Sequence, residues 1–305
     1  MSVSRTLTET AGSLSNSKPG KKSTIAIFFS ELSVRSAALV LIIFLIAAIF
    51  APLISPYDPL EHHRPEKFMA PCFQYPFGTD EFGRDLLSRV IFGARISLGS
   101  AAMAVILSML VAVPIGLVAG YFGSWVETVS MRGMDVLLAF PAILLAMGIV
   151  TILGQNMLTP AFAVTIVCIP AVARIVRAAT LGVRNLEFVQ AATAMGATDR
   201  RILLLTILPN TLAPLFVQAI VNASRAVLLE SSLSFLGLGV PPPQASWGSL
   251  LSTGRSFVYQ APWYGLFPGV AIMAVLLSLN ILADAWQDTS DPVRRRARQL
   301  RKVKR

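Results

Sequence analysis

His62-His63 are the chain's only imidazoles, and Cys72 and Cys168 its only thiols, across 305 residues. A selective metal site needs three or more converging ligands, so one adjacent histidine pair does not make one and no metal is expected. Neither a Cys-x-x-Cys pair nor a Cys/His cluster is present, which removes the zinc and redox motifs. No nucleophile motif accompanies the histidines, so the chain is not expected to be an enzyme. Gly20-Lys21 matches the end of a phosphate-binding loop, but Ser15 stands at the first glycine position and Lys22 at the hydroxyl position. The chain is therefore expected to hold no ATP site. What remains is a pair of ionisable residues in an apolar stretch, Arg225 and Glu230. Such groups are expensive in a bilayer and face protein or water.

The elements that must position these residues are long apolar runs. With 54% hydrophobic and 14% charged residues, the chain is too apolar for an ordinary soluble domain. Six runs approach the ~20 residues that a membrane helix needs: Ser36–Ile54, Ile96–Tyr121, Met134–Leu153, Thr159–Val176, Thr211–Leu236 and Leu266–Ala285. Backbone groups in lipid must be satisfied internally, so the runs read as helices, and the short alternating segments of a β-barrel are absent. The expected fold is all-α, a polytopic membrane protein with six transmembrane helices. Within the fifth run two readings of Arg225 and Glu230 stay open. They line a path or gate, or Arg225 pairs with a carboxylate of another helix while Glu230 sits near the external interface.

The net charge of +10 does not point to nucleic acid, because of where it lies. Lys and Arg number 5 before the first run, 1 in the 121–133 loop, 5 in the 173–210 loop and 8 after the last run. The opposite loops carry 6, so the positive-inside bias puts both termini in the cytoplasm. The basic end from Arg294 to Arg305 then serves orientation and contact with lipid headgroups. Cys72 and Cys168 fall in different compartments, which excludes a disulfide between them. The organisation expected is a disordered cytoplasmic tail (1–30), a first helix that stays as an anchor with an external segment (31–95), a core of five helices (96–290), and a basic tail (291–305).

Two polar segments interrupt this pattern. Gly78-Thr79-Asp80-Glu81-Phe82-Gly83-Arg84-Asp85 has glycines for unusual backbone angles and aspartates that cap helix starts. Leu86, Leu87, Val90 and Ile91 follow at helical spacing, predicting an amphipathic interfacial helix that leads into the second span. On the cytoplasmic side, residues 186–207 hold Gln190-Ala191-Ala192-Thr193-Ala194-Met195-Gly196. The alanines favour a slim helix that another chain can approach, and Gly196 ends it. Thr198 or Asp199 then caps a second helix held down by Ile202, Leu203 and Leu205, and Pro209 opens the fifth span. Pro114, Pro141 and Pro170 are set to kink their spans, and Gly116-x-x-x-Gly120 permits close helix packing.

The hairpin resembles the coupling loop of ATP-binding-cassette importer permeases, whose pattern is Glu-Ala-Ala, three residues, Gly, nine residues, and a hydrophobic stretch ending in Leu-Pro. Gln190 replaces the glutamate, while Ala191, Ala192, Gly196, Leu208 and Pro209 keep the spacing. Residues 78–85 resemble the signature Gly-Thr-Asp-x-x-Gly-Arg-Asp of the C-type subunit in the oligopeptide/dipeptide/nickel family of these permeases. Gly120-Tyr121-Phe122-Gly123, Asp135 to Pro141, Glu230 to Gly239 and Ser246-Trp247-Gly248 look like the same family. Ala283-Asp284-Ala285-Trp286-Gln287-Asp288 departs from its usual Gly-Asp-Gly-Leu-Arg-Asp.

The resemblance implies a type I importer permease fold in a bacterial inner membrane. It implies a second homologous permease, two ATP-binding subunits that carry ATP and Mg, and a periplasmic or lipid-anchored substrate-binding protein. It names Gln190, Ala191, Ala192, Gly196, Ala197, Asp199, Leu208 and Pro209 as ATPase-coupling residues. The cargo expected is a di- or oligopeptide, or a related small solute such as nickel, glutathione, an opine or a saccharide. The rival is an ion-coupled secondary transporter, which usually needs buried carboxylates or broken helices at the midplane, whereas these spans hold few acids and no apparent inverted repeat.

Overall fold

The computed structural model describes residues 32–290, so the tails expected at 1–30 and 291–305 lie outside the described residues. The described residues are mostly helical. The order is α1 (Leu32–Ile49), α2 (Ala51–Ile54), a 3-10 turn at Arg64–Glu66, α3 (Leu86–Phe122), α4 (Ser124–Leu138), α5 (Ala142–Leu153) and α6 (Thr159–Arg184). It continues through α7 (Glu187–Ala194), α8 (Asp199–Arg201), a π-helical segment at Ile202–Ile207, α9 (Leu208–Phe235), α10 (Trp247–Ser256) and α11 (Trp263–Ser290). Five helices are long and apolar enough to cross a membrane, and the bent pair α4–α5 makes a sixth crossing if taken as one.

The centre of the bundle is the pairing of α3 with α6, the most extensive helix contact in the molecule. Its cause is the small-residue stripe. A Cβ on Gly116 would lie 2.6 Å from the carbonyl oxygen of Ala173 and from Cβ of Val176, and one on Gly120 would lie 2.7 Å from Cβ of Thr180. Without a hydrophobic drive between helices in lipid, such close approach gains dispersion contacts over the whole interface. Helix α9 packs on α6, α11 and α3, while α1 leans on α11 and α3 from outside with only Val34, Ala37 and Ala48 buried. Two apolar clusters result. One lies toward the end that carries residues 55–85 and contains Leu86, Leu233, Trp247, Leu250 and Tyr264. The other lies toward the end that carries residues 186–207 and contains Leu117, Val172, Val176, Val189, Ile202 and Ile207.

Three elements differ from the sequence reading. The third run, expected as one helix from 134 to 153, is broken between Leu138 and Ala142, and its halves α4 and α5 meet at 88°. Pro141 lacks an amide proton and pushes Phe140 out of the helical region, so the break falls there. Pro114 and Pro170 sit inside unbroken helices instead. Second, residues 86–95 are not a separate interfacial helix. They form the first turns of α3, whose 37 residues span about 55 Å, and Leu86, Val90 and Ile91 are buried in protein. Third, the fifth span begins before Pro209, because α8, the π-helical segment and α9 run on as one helix from Asp199 to Phe235. The wider π turn falls just before Pro209, whose ring cannot donate and would crowd the preceding turn of a regular helix.

Candidate functional site

The hairpin begins with α7, whose Val189 is buried against Ile202, Leu203 and Ile207 and against Val172 and Val176 of α6. Helix α7 ends in a Schellman motif. The amide of Gly196 donates to the carbonyl of Thr193 (2.9 Å) and that of Ala197 to the carbonyl of Ala192 (3.1 Å), with Gly196 at φ +78°. Gly196 thus ends the helix in the left-handed region, as read from its spacing. Thr198 takes the N-cap position of α8 by its backbone, but its side chain makes no capping bond. Asp199 does not cap either. Its carboxylate accepts from the hydroxyl of Tyr121 (2.8 Å), tying the hairpin to the last turn of α3. Ile202 and Leu203 hold the segment down as expected, whereas Leu205 is 69% exposed and Ile207 takes its place.

What the hairpin leaves bare includes several apolar side chains. Leu186, Phe188 and Met195 are exposed, Met195 by 81%, together with Ala191 and Ala194. Ala192 and Ala197 turn toward the bundle, and Leu208 packs against the same cluster. Gln190 is exposed and folds back, its side-chain amide donating to the carbonyl of Asn185 (3.1 Å). The arrangement offers shape and apolar surface with no group that could do covalent work.

At the opposite end, residues 78–85 form a closed loop rather than a surface. Asp80 is fully buried, and its carboxylate accepts from the amides of Phe82 (2.8 Å) and Arg84 (2.9 Å), from Nε of Arg84 (2.6 Å) and from Nη1 of Arg89. It is therefore a counter-charge for two guanidiniums and no helix cap. Asp85 is the cap of α3, accepting from the amide (2.8 Å) and hydroxyl (2.6 Å) of Ser88. Thr79 accepts from the amide of Met69 (2.8 Å), donates to the carbonyl of Glu66, and receives the indole of Trp263 at its own carbonyl (3.4 Å). Gly83, at φ +75°, lies where a Cβ would meet the His63 carbonyl oxygen at 1.9 Å, and one on Gly78 would meet Trp263 at 2.6 Å. The loop thereby joins the 55–85 segment to the starts of α3 and α11. Beside it, burial and the Glu66 carboxylate push the Tyr75 hydroxyl well above the ordinary phenol range.

Arg225 and Glu230 face different surroundings. Glu230 is buried, accepts from the hydroxyl of Ser234 (2.8 Å), and sits where Gly239 and Gly248 let α9 and the α10 turn close on each other. Its second oxygen has no partner among the described residues. Arg225 stands on the exposed face of α9. His63 approaches Glu61 at 3.7 Å, and no cluster of three or more metal-ligating side chains forms among the described residues. Cys72 is exposed and Cys168 buried.

Sequence reasoning missed several contributors. Arg89, Trp263 and Tyr264 close the loop, and Trp247 is a fully buried anchor whose indole donates to the carbonyl of Val90 (2.9 Å). On α4, Asp135 and Glu127 pair with Arg174 and Arg177 of α6. Aromatic residues beside apolar runs were the only signal for the first group. Opposite charges on consecutive helical segments were the signal for the second.

Known proteins resemble this arrangement. Residues 112–296 match the family described as binding-protein-dependent transport system inner membrane component, and residues 35–71 match the N-terminal TM domain of oligopeptide transport permease C. The dipeptide transport system permease protein DppC of Alkalihalophilus pseudofirmus is 41% identical over 268 residues, covering 87% of this chain and 88% of the relative. The glutathione transport system permease protein GsiD of Pectobacterium atrosepticum is 38% identical over 266 residues, with the same 87% and 88% coverage. The di/tripeptide transport system permease protein DppC of Pseudomonas aeruginosa is 39% identical over 260 residues, covering 83% and 86%. Among solved structures, a chain of the inward-facing MetNI methionine ABC transporter superposes with a TM-score of 0.51 at 20% identity, over 69% of this chain and 95% of that one, which bears on the fold.

Proposed function

The chain belongs to the family of inner-membrane components of binding-protein-dependent transport systems and is a permease subunit of an ATP-binding-cassette importer, and on that premise we propose that the hairpin 186–207 is where a separate ATP-hydrolysing subunit grips it. It is a multi-pass membrane protein, it transports rather than catalyses, and its family works with ATP-binding and substrate-binding partners. The observation that carries the proposal is the hairpin's two-sided character. Val189, Ile202 and Ile207 seat it in the bundle, while Leu186, Phe188 and Met195 are left bare on α7 and its two caps. A handle needs both properties, rigid attachment on one side and an apolar contact for a partner on the other. Gln190, Ala191, Ala192, Gly196, Ala197, Asp199, Leu208 and Pro209 then share the work. Ala191 meets the partner, Ala192 and Ala197 close the turn on the bundle, Asp199 and Leu208 tie it to neighbouring helices, and Pro209 starts the regular part of the span.

In this reading two ATP-binding subunits hold the ATP and Mg, a second homologous permease completes the channel, and a periplasmic or lipid-anchored binding protein delivers cargo at the 55–85 end. Both termini are cytoplasmic, in keeping with the basic residues beside the hairpin. ATP binding draws the handles together and reorients the spans, so that access alternates between the two sides. The cargo is a small peptide or a peptide-like solute such as glutathione, in line with the names of the relatives. A secondary transporter is disfavoured because Glu230 is enclosed by its own chain and Asp135 is paired with Arg174.

The test is uptake by the assembled complex in proteoliposomes. Uptake that requires ATP and fails with Ala191→Trp, in a complex of normal membrane abundance, is the expected result. Uptake driven by an ion gradient without ATP would overturn the reading.

A further inference from the structure

The exposed face of α9 carries an arginine where lipid would tolerate none. Arg225 lies ten residues, about 15 Å, inside the helix end at Phe235, which itself sits against the Arg255 guanidinium at 5.6 Å. That depth exceeds what one arginine side chain can bridge by reaching for the interface. Among the described residues Arg225 makes no hydrogen bond or ion pair. Among the described residues no carboxylate pairs with it at this level. Glu230 is turned inward onto Ser234. Asp284 and Asp288 lie on α11 near Trp286, whose ring contact with Phe216 puts them at least ~10 Å away along the helix axis. No described residue of this chain supplies the counter-charge.

The surrounding face says what kind of space this is. Gln218 and Ser232, one heptad to either side, are polar and half-buried, the Ser232 hydroxyl donating to the carbonyl of Leu228 (2.7 Å), and Val221 and Leu228 stand exposed between them. A surface against acyl chains would be apolar along this line, as it is over the middle of α1, where Leu39, Ile42, Ile43 and Ile46 are exposed. A single ion pair to another subunit would not call for polar groups spread over about 20 Å. We propose that this face of α9 lines a water-filled path and that Arg225 is a fixed positive charge in it, binding the carboxylate of the passing solute. The proposal rests on the importer reading and names the chemical class its path recognises, an anionic solute with a free carboxylate. The interaction is a charge-assisted hydrogen bond, made in transit and broken on release.

Two measurements on the whole complex test it. In a Cys72→Ser, Cys168→Ser background, Arg225→Cys is expected to react with a charged, water-soluble thiol reagent far faster than Leu39→Cys on the apolar α1. Labelling no faster than at Leu39 would overturn the proposal. In the second arm, ATP-driven uptake of a dipeptide with a free C-terminal carboxylate is followed in Arg225→Lys and Arg225→Gln. The lysine variant is expected to keep most of the maximal rate and the glutamine variant to lose about tenfold, at unchanged half-saturation, since the binding protein sets the latter. Wild-type rates in Arg225→Gln, or loss of the second permease from its purified complex, would overturn it in favour of an inert or an interfacial arginine. Absence of dipeptide uptake by the unaltered complex would count against the peptide reading, and the labelling arm would still decide whether Arg225 faces water.

Discussion

Asp80 carries most of the buried charge balance in the loop that precedes α3. It is enclosed with Arg84 and Arg89, so removing its charge strands two guanidiniums away from water. Breaking a buried pair in this way costs about 3–5 kcal/mol. Asp80→Asn is therefore expected to lower the thermal midpoint of the detergent-solubilised protein sharply and to reduce its amount in the membrane. Arg84→Lys loses less, because Arg89 still pairs with the carboxylate. Gly83→Ala is expected to be as severe as Asp80→Asn by a different route, since the added methyl collides with the His63 carbonyl and the backbone stays at φ +75°. Gly196 has the same backbone sign but open space around it, so Gly196→Ala carries only the left-handed strain of about 1–2 kcal/mol. Uptake should fall modestly in that variant and be lost in Gly196→Pro, whose missing amide proton removes the bond to Thr193.

The element scale is governed by how closely α3 and α6 approach. Gly116→Leu puts a branched side chain where a single carbon already meets the Ala173 backbone, so the helices must separate along the stripe. The prediction is loss of stability by more than about 2 kcal/mol, read as a fall in thermal midpoint, with Gly120→Val behaving alike. Gly148→Ala on α5 meets nothing and should be neutral or slightly stabilising, which makes it the matched control. Helix α4 behaves differently from the spans around it. None of its residues is buried, and its acidic side chains are held to α6 by Glu127–Arg177 and Asp135–Arg174. The bend at Pro141 separates this charged half from the apolar α5.

For the whole molecule, the arrangement predicts which side each thiol faces. Cys72 is exposed on the 55–85 segment, Met195 is exposed on the hairpin, and Cys168 is buried between them. An impermeant maleimide added to intact cells made permeable only at the outer membrane is expected to label Cys72. A Met195→Cys variant in a Cys72→Ser background should label only after the inner membrane is opened, and Cys168 in neither case. Labelling of the Met195 position from outside would reverse the topology and remove the hairpin from reach of a cytoplasmic ATPase.

Much of this was legible before folding was considered. Run length and apolar content determine the number of spans, the positions of Lys and Arg predict their orientation, and the spacing of Gln190, Ala191, Gly196 and Pro209 marks the hairpin with its left-handed turn. These are local or one-dimensional properties, set by the rise of a helix and the conformational range of glycine. Tertiary structure alone decided that Asp80 pairs with Arg89 rather than capping a helix, and that Tyr121 meets Asp199 across 78 positions. It also decided that Glu230 turns inward while Arg225 turns out. Each of those outcomes depends on which distant group arrives to offset the loss of water around a charge, and no spacing along a chain encodes that arrival.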